Sequence, residues 1–441
     1  MTVNANIFRF IYLLKSLIER RRDIFPGLLM PQTQPMSWAS MNTVGKALSR
    51  KFDFKTVIDR RSRLSTKWLE VNEFTDSLSG PVIPLWIADM DFKSPPVVVD
   101  ALQQAVEHGI FGYSEWPADF FALFCGWQEV RHGWRIDPQW VLPCESVISA
   151  MDIAIRANSQ PDDEVIIFSP GFSTFNRIIK HTGRRVIDVP LVENERSYSL
   201  DIARLHAAIT SRSRILILCN PHNPIGKVWR SEELRQIAEL CQHHRLLLLS
   251  DDVHQDLIIG DTPYTPVASL DPQFADLTIT FTSPCKPFNL SGLPITHLVI
   301  KNAEIRKKLS DELEELSVHQ PNMLGMIACD AAYRHGAPWL DALIETLRGN
   351  YALLEKGLQD IANVTLFHTE GTYLAWLDFR KSGLTHAQLQ QRLIKDAGLL
   401  PNSGLKFGTN GEGFMRLNFA LPQSELVKVI DRLARCFSRS H

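Results

Sequence analysis

Between residues 164 and 300 the chain repeats one pattern: a short, almost wholly apolar run, an abrupt polar or proline-containing stop, then a stretch with helical spacing. Glu164 to Phe168 stops at Ser169-Pro170-Gly171, Arg214 to Cys219 at Asn220-Pro221, and Leu246 to Leu249 at Ser250-Asp251-Asp252. Leu277 to Thr282 stops at Ser283-Pro284, and Thr296 to Ile300 precedes a charged helix expected from Ala303 to about Leu316. Strands without polar alternation must be buried on both faces, which predicts an α/β fold with a mostly parallel sheet covered by helices on each side. Two connecting helices are legible. One runs from Asp201, a capping aspartate, to Ile209, and the other from Ser231, read as a capping serine, to about His244. A third helix opens at Ser146-Val147-Ile148 and continues through Ile155.

After residue 338 the texture changes. A helix is expected from Trp339 to Ile361, followed by mixed elements that include Thr372 to Leu377 and Phe414 to Asn418. We therefore expect a large domain over residues 95–338 and a smaller α+β domain built from residues 51–94 and 339–441. Residues 1–50 read as a loosely attached extension: an apolar stretch broken by Arg9, then Glu19-Arg20-Arg21-Arg22-Asp23. Most of its positive charge follows the apolar stretch, the reverse of a secretory signal.

In open α/β sheets, ligands sit beyond the carboxyl ends of the strands. Three strands here end in uncommon polar groups: Asn223 after the first, Asp251 and His254 after the second, Ser283 and Lys286 after the third. If the strands are parallel, these residues share one rim. An amine, a carboxylate, an amide and a hydroxyl together suit a phosphorylated pyridine aldehyde. The amine forms an imine and shuttles a proton, the carboxylate keeps the ring nitrogen protonated, and the amide donates to the phenolate oxygen. The phosphate wants hydroxyls and a helix N-terminus, which Ser283 and the Ser146-Val147-Ile148 helix start can supply. Taken singly, each residue has a plainer reading. An isolated lysine is usually a surface charge, and an aspartate or asparagine usually caps a turn.

The motifs taken together also carry a family resemblance. Cys219-Asn-Pro-His-Asn-Pro-Ile-Gly-Lys-Val-Trp229, Ser250-Asp251-Asp252-Val253-His254 and Ser283-Pro284-Cys285-Lys286-Pro287-Phe288-Asn289 resemble class I/II aminotransferase-like proteins of the pyridoxal-phosphate fold type I. Trp86-Ile87-Ala88-Asp89-Met90-Asp91-Phe92, Phe111-Gly112-Tyr113-Ser114-Glu115-Trp116, Gly336 to Leu340, Thr372 to Asp378 and Gly413 to Asn418 resemble its MalY/PatB branch of cystathionine β-lyases. The resemblance implies the aspartate aminotransferase-like fold, pyridoxal 5'-phosphate as cofactor, and a homodimer sharing its active sites. By position it implies Lys286 as the Schiff-base lysine and Asp251 as the pyridinium partner. Asn223 and His254 would lie on the phenolate side, Phe172 would stack on the ring where relatives usually carry Tyr, and Arg416 would grip the substrate carboxylate. Tyr113 would reach the neighbouring subunit's phosphate, and Ala88 and Tyr113 would line the substrate site. Two departures stand out. Pro143-Cys144-Glu145-Ser146 replaces a Gly-Pro-Ser turn, so Glu145 must point away from a phosphate, and Pro287 follows the lysine where a small hydroxyl residue is common.

The implied reaction is carbon–sulfur β-elimination from cystathionine or another cysteine S-conjugate. Amino transfer to a 2-oxo acid and a non-enzymatic regulatory role are the alternatives. A net charge of -2 gives no basic excess for nucleic acid. No apolar run reaches membrane-spanning length. Seven scattered cysteines without a C-x-x-C pair suggest a reducing, cytoplasmic setting and no metal.

Overall fold

The computed structural model describes residues 52–61, 64–72, 81–318 and 322–437. The expected extension over residues 1–50 lies outside them. The central sheet has seven strands: β1 (Val141–Cys144), β2 (Glu164–Ser169), β3 (Arg185–Pro190), β4 (Ser213–Cys219), β5 (Leu247–Asp251), β6 (Thr278–Thr282) and β7 (Thr296–Val299). Their spatial order is β1-β7-β6-β5-β4-β2-β3. Only β7 runs against its neighbours, β1 and β6; every other pair is parallel.

The continuous apolar runs have the expected cause. In β4, Ile215 and Ile217 bury one face together with Ala150, Met151 and Ile153 of helix α1 (Val147–Asn158). The intervening Leu216 and Leu218 bury the other face, together with Leu234 and Ile237 of helix α2 (Ser231–His244). Two corrections concern ends and edges. Ser231 is the first helical residue of α2, and Arg230 holds the cap position, where its backbone N–H is met by Glu233 at 3.1 Å. Strand β3 lacks a continuous apolar run because it lies at the sheet edge, where only Val189 is buried and Arg185, Asp188 and Pro190 are exposed.

A second sheet, antiparallel throughout, contains β8 (Thr365–Leu366), β9 (Leu374–Asp378), β10 (Asn402–Ser403) and β11 (Phe414–Asn418) in the order β8-β9-β11-β10. Helices α3 (Ala337–Leu358) and α4 (Gln423–Phe437) pack beside it. Near the amino end of the described chain, Ile83–Pro84 pairs in parallel with Leu399–Leu400, so this early segment lies with the late one. That pairing leads Trp86–Met90 to the rim of the central sheet.

Candidate active site

Strands β4, β5 and β6 are adjacent and parallel, so their carboxyl ends open on one edge. Cys219 sits opposite Asp251, and Asp251 opposite Phe281. Asn223 follows β4 in a loop fastened at its far side: the Gly226 carbonyl accepts from the backbone N–H groups of Glu370 and Gly371, both at 2.9 Å. Gly226 is required there. Its φ is +67°, and a β-carbon would come within 2.5 Å of the Thr369 side chain. Lys286 lies in the turn after β6, held by Phe288 N–H to Pro284 O at 3.1 Å and Leu290 N–H to Cys285 O at 2.9 Å.

Lys286 Nζ donates to the Ala88 carbonyl at 2.7 Å. That carbonyl belongs to a strap, Trp86–Met90, whose five carbonyls all accept hydrogen bonds from side chains of the rim. Trp86 O accepts from Arg416 Nη2, while Ile87 O and Asp89 O accept from Asn418 Nδ2. Ala88 O accepts from Lys286 and also from Tyr373 Oη at 3.0 Å. Met90 O accepts from Asn289 Nδ2 at 3.1 Å and Arg60 Nη1 at 3.2 Å. Behind the strap, Lys67 Nζ meets Asp91 at 2.7 Å and Arg60 Nη1 meets Asp91 at 2.7 Å. Lys67 is only 1% exposed.

Arg416, in the middle of β11, reaches across to the large sheet, where its Nη1 donates to Asn223 Oδ1 at 3.0 Å. Its guanidinium lies 4.9 Å from the Phe407 ring centre. No carboxylate pairs with it among the described residues, its Nε is buried without a partner, and burial pulls its pKa down to about 10. Asp251 is buried and receives one long hydrogen bond, from Val253 N–H at 3.4 Å. Burial pushes its pKa up to about 7, against the smaller opposing effects of that hydrogen bond and of Lys286. Burial also lowers Lys286 and holds His254 far below the ordinary histidine range; for His254, Lys286 and Arg416 add repulsion. His254 Nδ1 is buried and unpartnered.

The remaining sequence-picked residues spread along the same edge. Ser146 caps α1, its Oγ accepting from Ile148 N–H at 3.2 Å, so the Ile148 amide is already engaged while Val147 N–H meets no acceptor among the described residues. Strand β1 lies two strands from β6, which puts this helix start about 10 Å along the edge. Glu145 is exposed. Ser283 gives its hydroxyl proton to Ile295 O at 2.7 Å and accepts from Cys285 N–H at 3.1 Å, so in this conformation it has no proton left for a phosphate. Phe172 is half-buried just beyond β2, edge-on to Phe175 at 5.3 Å. Tyr113 is fully exposed and has no hydrogen bond or ring contact among the described residues. Sequence reasoning passed over Tyr373, Asn418 and Asn289, which all face the strap. Only their place in quoted motifs marked them.

The model of the aminotransferase class I and II family matches residues 81–433. The chain belongs to that family. Within it, the chain groups with the MalY/PatB type. It is 35% identical to cystathionine beta-lyase PatB of Bacillus subtilis, over 86% of this chain and 98% of PatB. It is 34% identical to protein MalY of Escherichia coli, over 86% and 96%. Cystalysin of Treponema denticola, whose structure contains a pyridoxal 5'-phosphate cofactor, superposes with a TM-score of 0.85 at 32% identity, over 88% of this chain and 98% of cystalysin. In this family member the unmatched groups fit such a molecule. A buried carboxylate lacks a strong donor, a buried imidazole has an unpartnered Nδ1, a buried amine holds only a carbonyl, and a helix start has a free amide. Buried polar groups left open in this way mark a place shaped for a polar ligand.

Proposed function

We propose that this family member is a pyridoxal-phosphate-dependent carbon–sulfur β-lyase that releases a thiol, pyruvate and ammonia from cystathionine or a related cysteine S-conjugate. The observation that carries the reading is a set of three buried charge-bearing groups on one edge, Lys286, Asp251 and Arg416, none with a strong partner of opposite charge. Lyase names among its relatives, PatB and the C-S lyase of Staphylococcus hominis, support β-elimination over amino transfer.

When bound, the cofactor supplies a carbon that captures the substrate amine and a ring that takes up electrons from Cα. The chain's own residues do the rest. Lys286 would hold the cofactor covalently at rest, and its amine, once displaced by the substrate amine, would take the proton from Cα. Burial favours the neutral amine, the form that accepts a proton. Asp251 would pair with the ring nitrogen and keep it protonated. Asn223 Nδ2 and His254 would serve the phenolate side, and Phe172 would cover the ring. Ser146 and the Val147 amide would hold the phosphate at the helix start; Ile148 would serve by fixing the Ser146 hydroxyl, and Ser283 would join only on releasing Ile295. Arg416 leaves Trp86 O to take the substrate carboxylate in a two-pronged bond. The Ala88 strap covers the substrate.

A homodimer completes the reading. Ile110, Phe111 and Tyr113 are 67%, 59% and 103% exposed, an apolar stretch that a second copy would cover, with Tyr113 reaching the partner's phosphate. We read the two sheets as the cores of a large domain over residues 95–338 and a small one from residues 51–94 and 339–441, with the cofactor between them. Free cysteines at all seven positions suit the cytoplasm. No helix among the described residues is long and apolar enough to cross a membrane.

The test is incubation of the purified, cofactor-loaded chain with cystathionine and no added 2-oxo acid. Homocysteine and pyruvate should appear in equal amounts. Turnover that requires a 2-oxo acid, or no thiol from a coloured preparation, overturns the lyase reading.

A further inference from the structure

Tyr373 has no part in the roles above, yet it touches more of the site than most residues that do. Its hydroxyl donates to Ala88 O at 3.0 Å, the same oxygen that Lys286 Nζ reaches at 2.7 Å. Its ring meets His254 edge-on at 5.8 Å, and it is 1% exposed. The backbone that presents it is unusual: Thr372, the preceding residue, has φ +71°. A β-branched residue in the left-handed region is a true outlier. Thr372 is held there by its N–H on Leu257 O at 2.8 Å and by its hydroxyl, which accepts from Leu374 N–H at 3.1 Å. Strain of this kind persists where the surroundings impose it, and here it aims a phenol at one carbonyl.

We propose that Tyr373 is a positioning residue for Lys286: by sharing the Ala88 carbonyl, it fixes the amine's direction and loosens that oxygen's hold on the ammonium form. This deepens the reading of Lys286 as the cofactor lysine and rests on it. An oxygen that already accepts a phenol proton is a poorer acceptor for a second, charged donor. The competition therefore favours the neutral amine, the form that attacks an aldehyde. When the amine departs, the phenol keeps the carbonyl satisfied, and the strap is not left with a buried orphan. Burial keeps the phenol itself protonated. The groups facing this pair are Asp89, Arg416 and Cys285, which act on both residues. Asp251 and His254 also face Lys286. None of them competes for Ala88 O.

The test is the rate at which full-length, cofactor-free chain takes up pyridoxal phosphate, followed by absorbance over a series of pH values. In Y373F the ring still packs on His254, so a purely structural role leaves the pH midpoint unmoved. The proposal expects the Y373F midpoint to rise by about half to one pH unit, with uptake at neutral pH about three- to tenfold slower. T372G keeps the phenol but frees its backbone, and should move the midpoint in the same direction. This second variant decides the matter if Y373F does not fold. Coincident profiles for wild type and variants overturn the Tyr373 proposal alone. A wild type that never becomes coloured overturns the Lys286 reading, and this inference with it.

Discussion

Arg416 Nη1 donates to Asn223 Oδ1 at 3.0 Å, and that single bond joins the middle of the small sheet to the loop that follows β4. The guanidinium is buried, and no described carboxylate balances it. A lone buried cation is costly, and burial already pulls its pKa down to about 10. An arriving carboxylate supplies the missing charge. Arg416→Lys keeps a cation but loses the planar fork. We expect it to lower kcat/KM by about a hundredfold, on the order of 3 kcal/mol, mostly through KM. Steady-state kinetics with unchanged cofactor absorbance would bear this out. A loss confined to kcat would show that the guanidinium acts elsewhere.

Asp251 gives the cofactor-free chain a specific pH signature. Its pKa is 3.8 ordinarily and about 7 in the fold, with burial the main cause. Between these values the folded chain binds more protons than the unfolded one, so this group makes stability fall as pH rises from about 4 to about 7. Asp252, also raised to about 7 by burial, adds to the slope. Asp251→Asn removes one of the two contributions. The cofactor-free variant should be more stable than wild type above pH 7, by on the order of a few kcal/mol. It should nevertheless hold the vitamin far more weakly. Thermal melts of both proteins across that window, paired with equilibrium dialysis, test both halves. A D251N chain less stable than wild type at high pH would contradict the assignment of a costly buried anion.

Lys67 is the third buried charge to test, and its role is mechanical. It pairs with Asp91 at 2.7 Å and Asp89 at 3.6 Å, anchoring the strap from behind. Lys67→Met leaves two partly exposed acids sharing Arg60 alone, at a cost of about 1–3 kcal/mol, less than for a fully buried pair broken from one side. We expect a clear fall in Tm and a raised KM, since the Ala88 carbonyl loses its backing. A melting temperature unchanged from wild type would show that Arg60 alone suffices.

Much of this arrangement could be read before any coordinates. Continuous apolar runs such as Arg214 to Cys219 announce strands covered on both faces, and the rule that ligands gather at carboxyl ends brings Asn223, Asp251 and Lys286 to one edge. The strap was not legible in the same way. Its carbonyls are held by Asn418, Asn289 and Tyr373, residues distant in sequence whose types have many ordinary uses. The left-handed Thr372 is invisible to any propensity, because the residue type argues against the conformation it adopts. Ser283 shows the opposite failure. A hydroxyl beside a lysine looks free in sequence, but the fold sends its proton to Ile295.

The proposed homodimer, with its sites shared between subunits, makes a prediction that a single subunit cannot satisfy. Tyr113 is 103% exposed and has no hydrogen bond or ring contact among the described residues, whereas Lys286 is enclosed by its own rim. If Tyr113 serves the partner's site, Lys286→Ala and Tyr113→Ala damage the two components of each site on different chains. Each variant alone should be nearly inactive. Mixed and allowed to exchange subunits, half of the dimers carry one variant of each kind. In those mixed dimers one site has both defects and the other has none. Activity should therefore recover to about a quarter of wild type, as expected for a closed two-fold assembly with random exchange. Recovery followed against the fraction of mixed dimers, measured by native mass spectrometry, gives the number directly. Mixed dimers that form without any recovery would place Tyr113 in its own subunit's site, or in none.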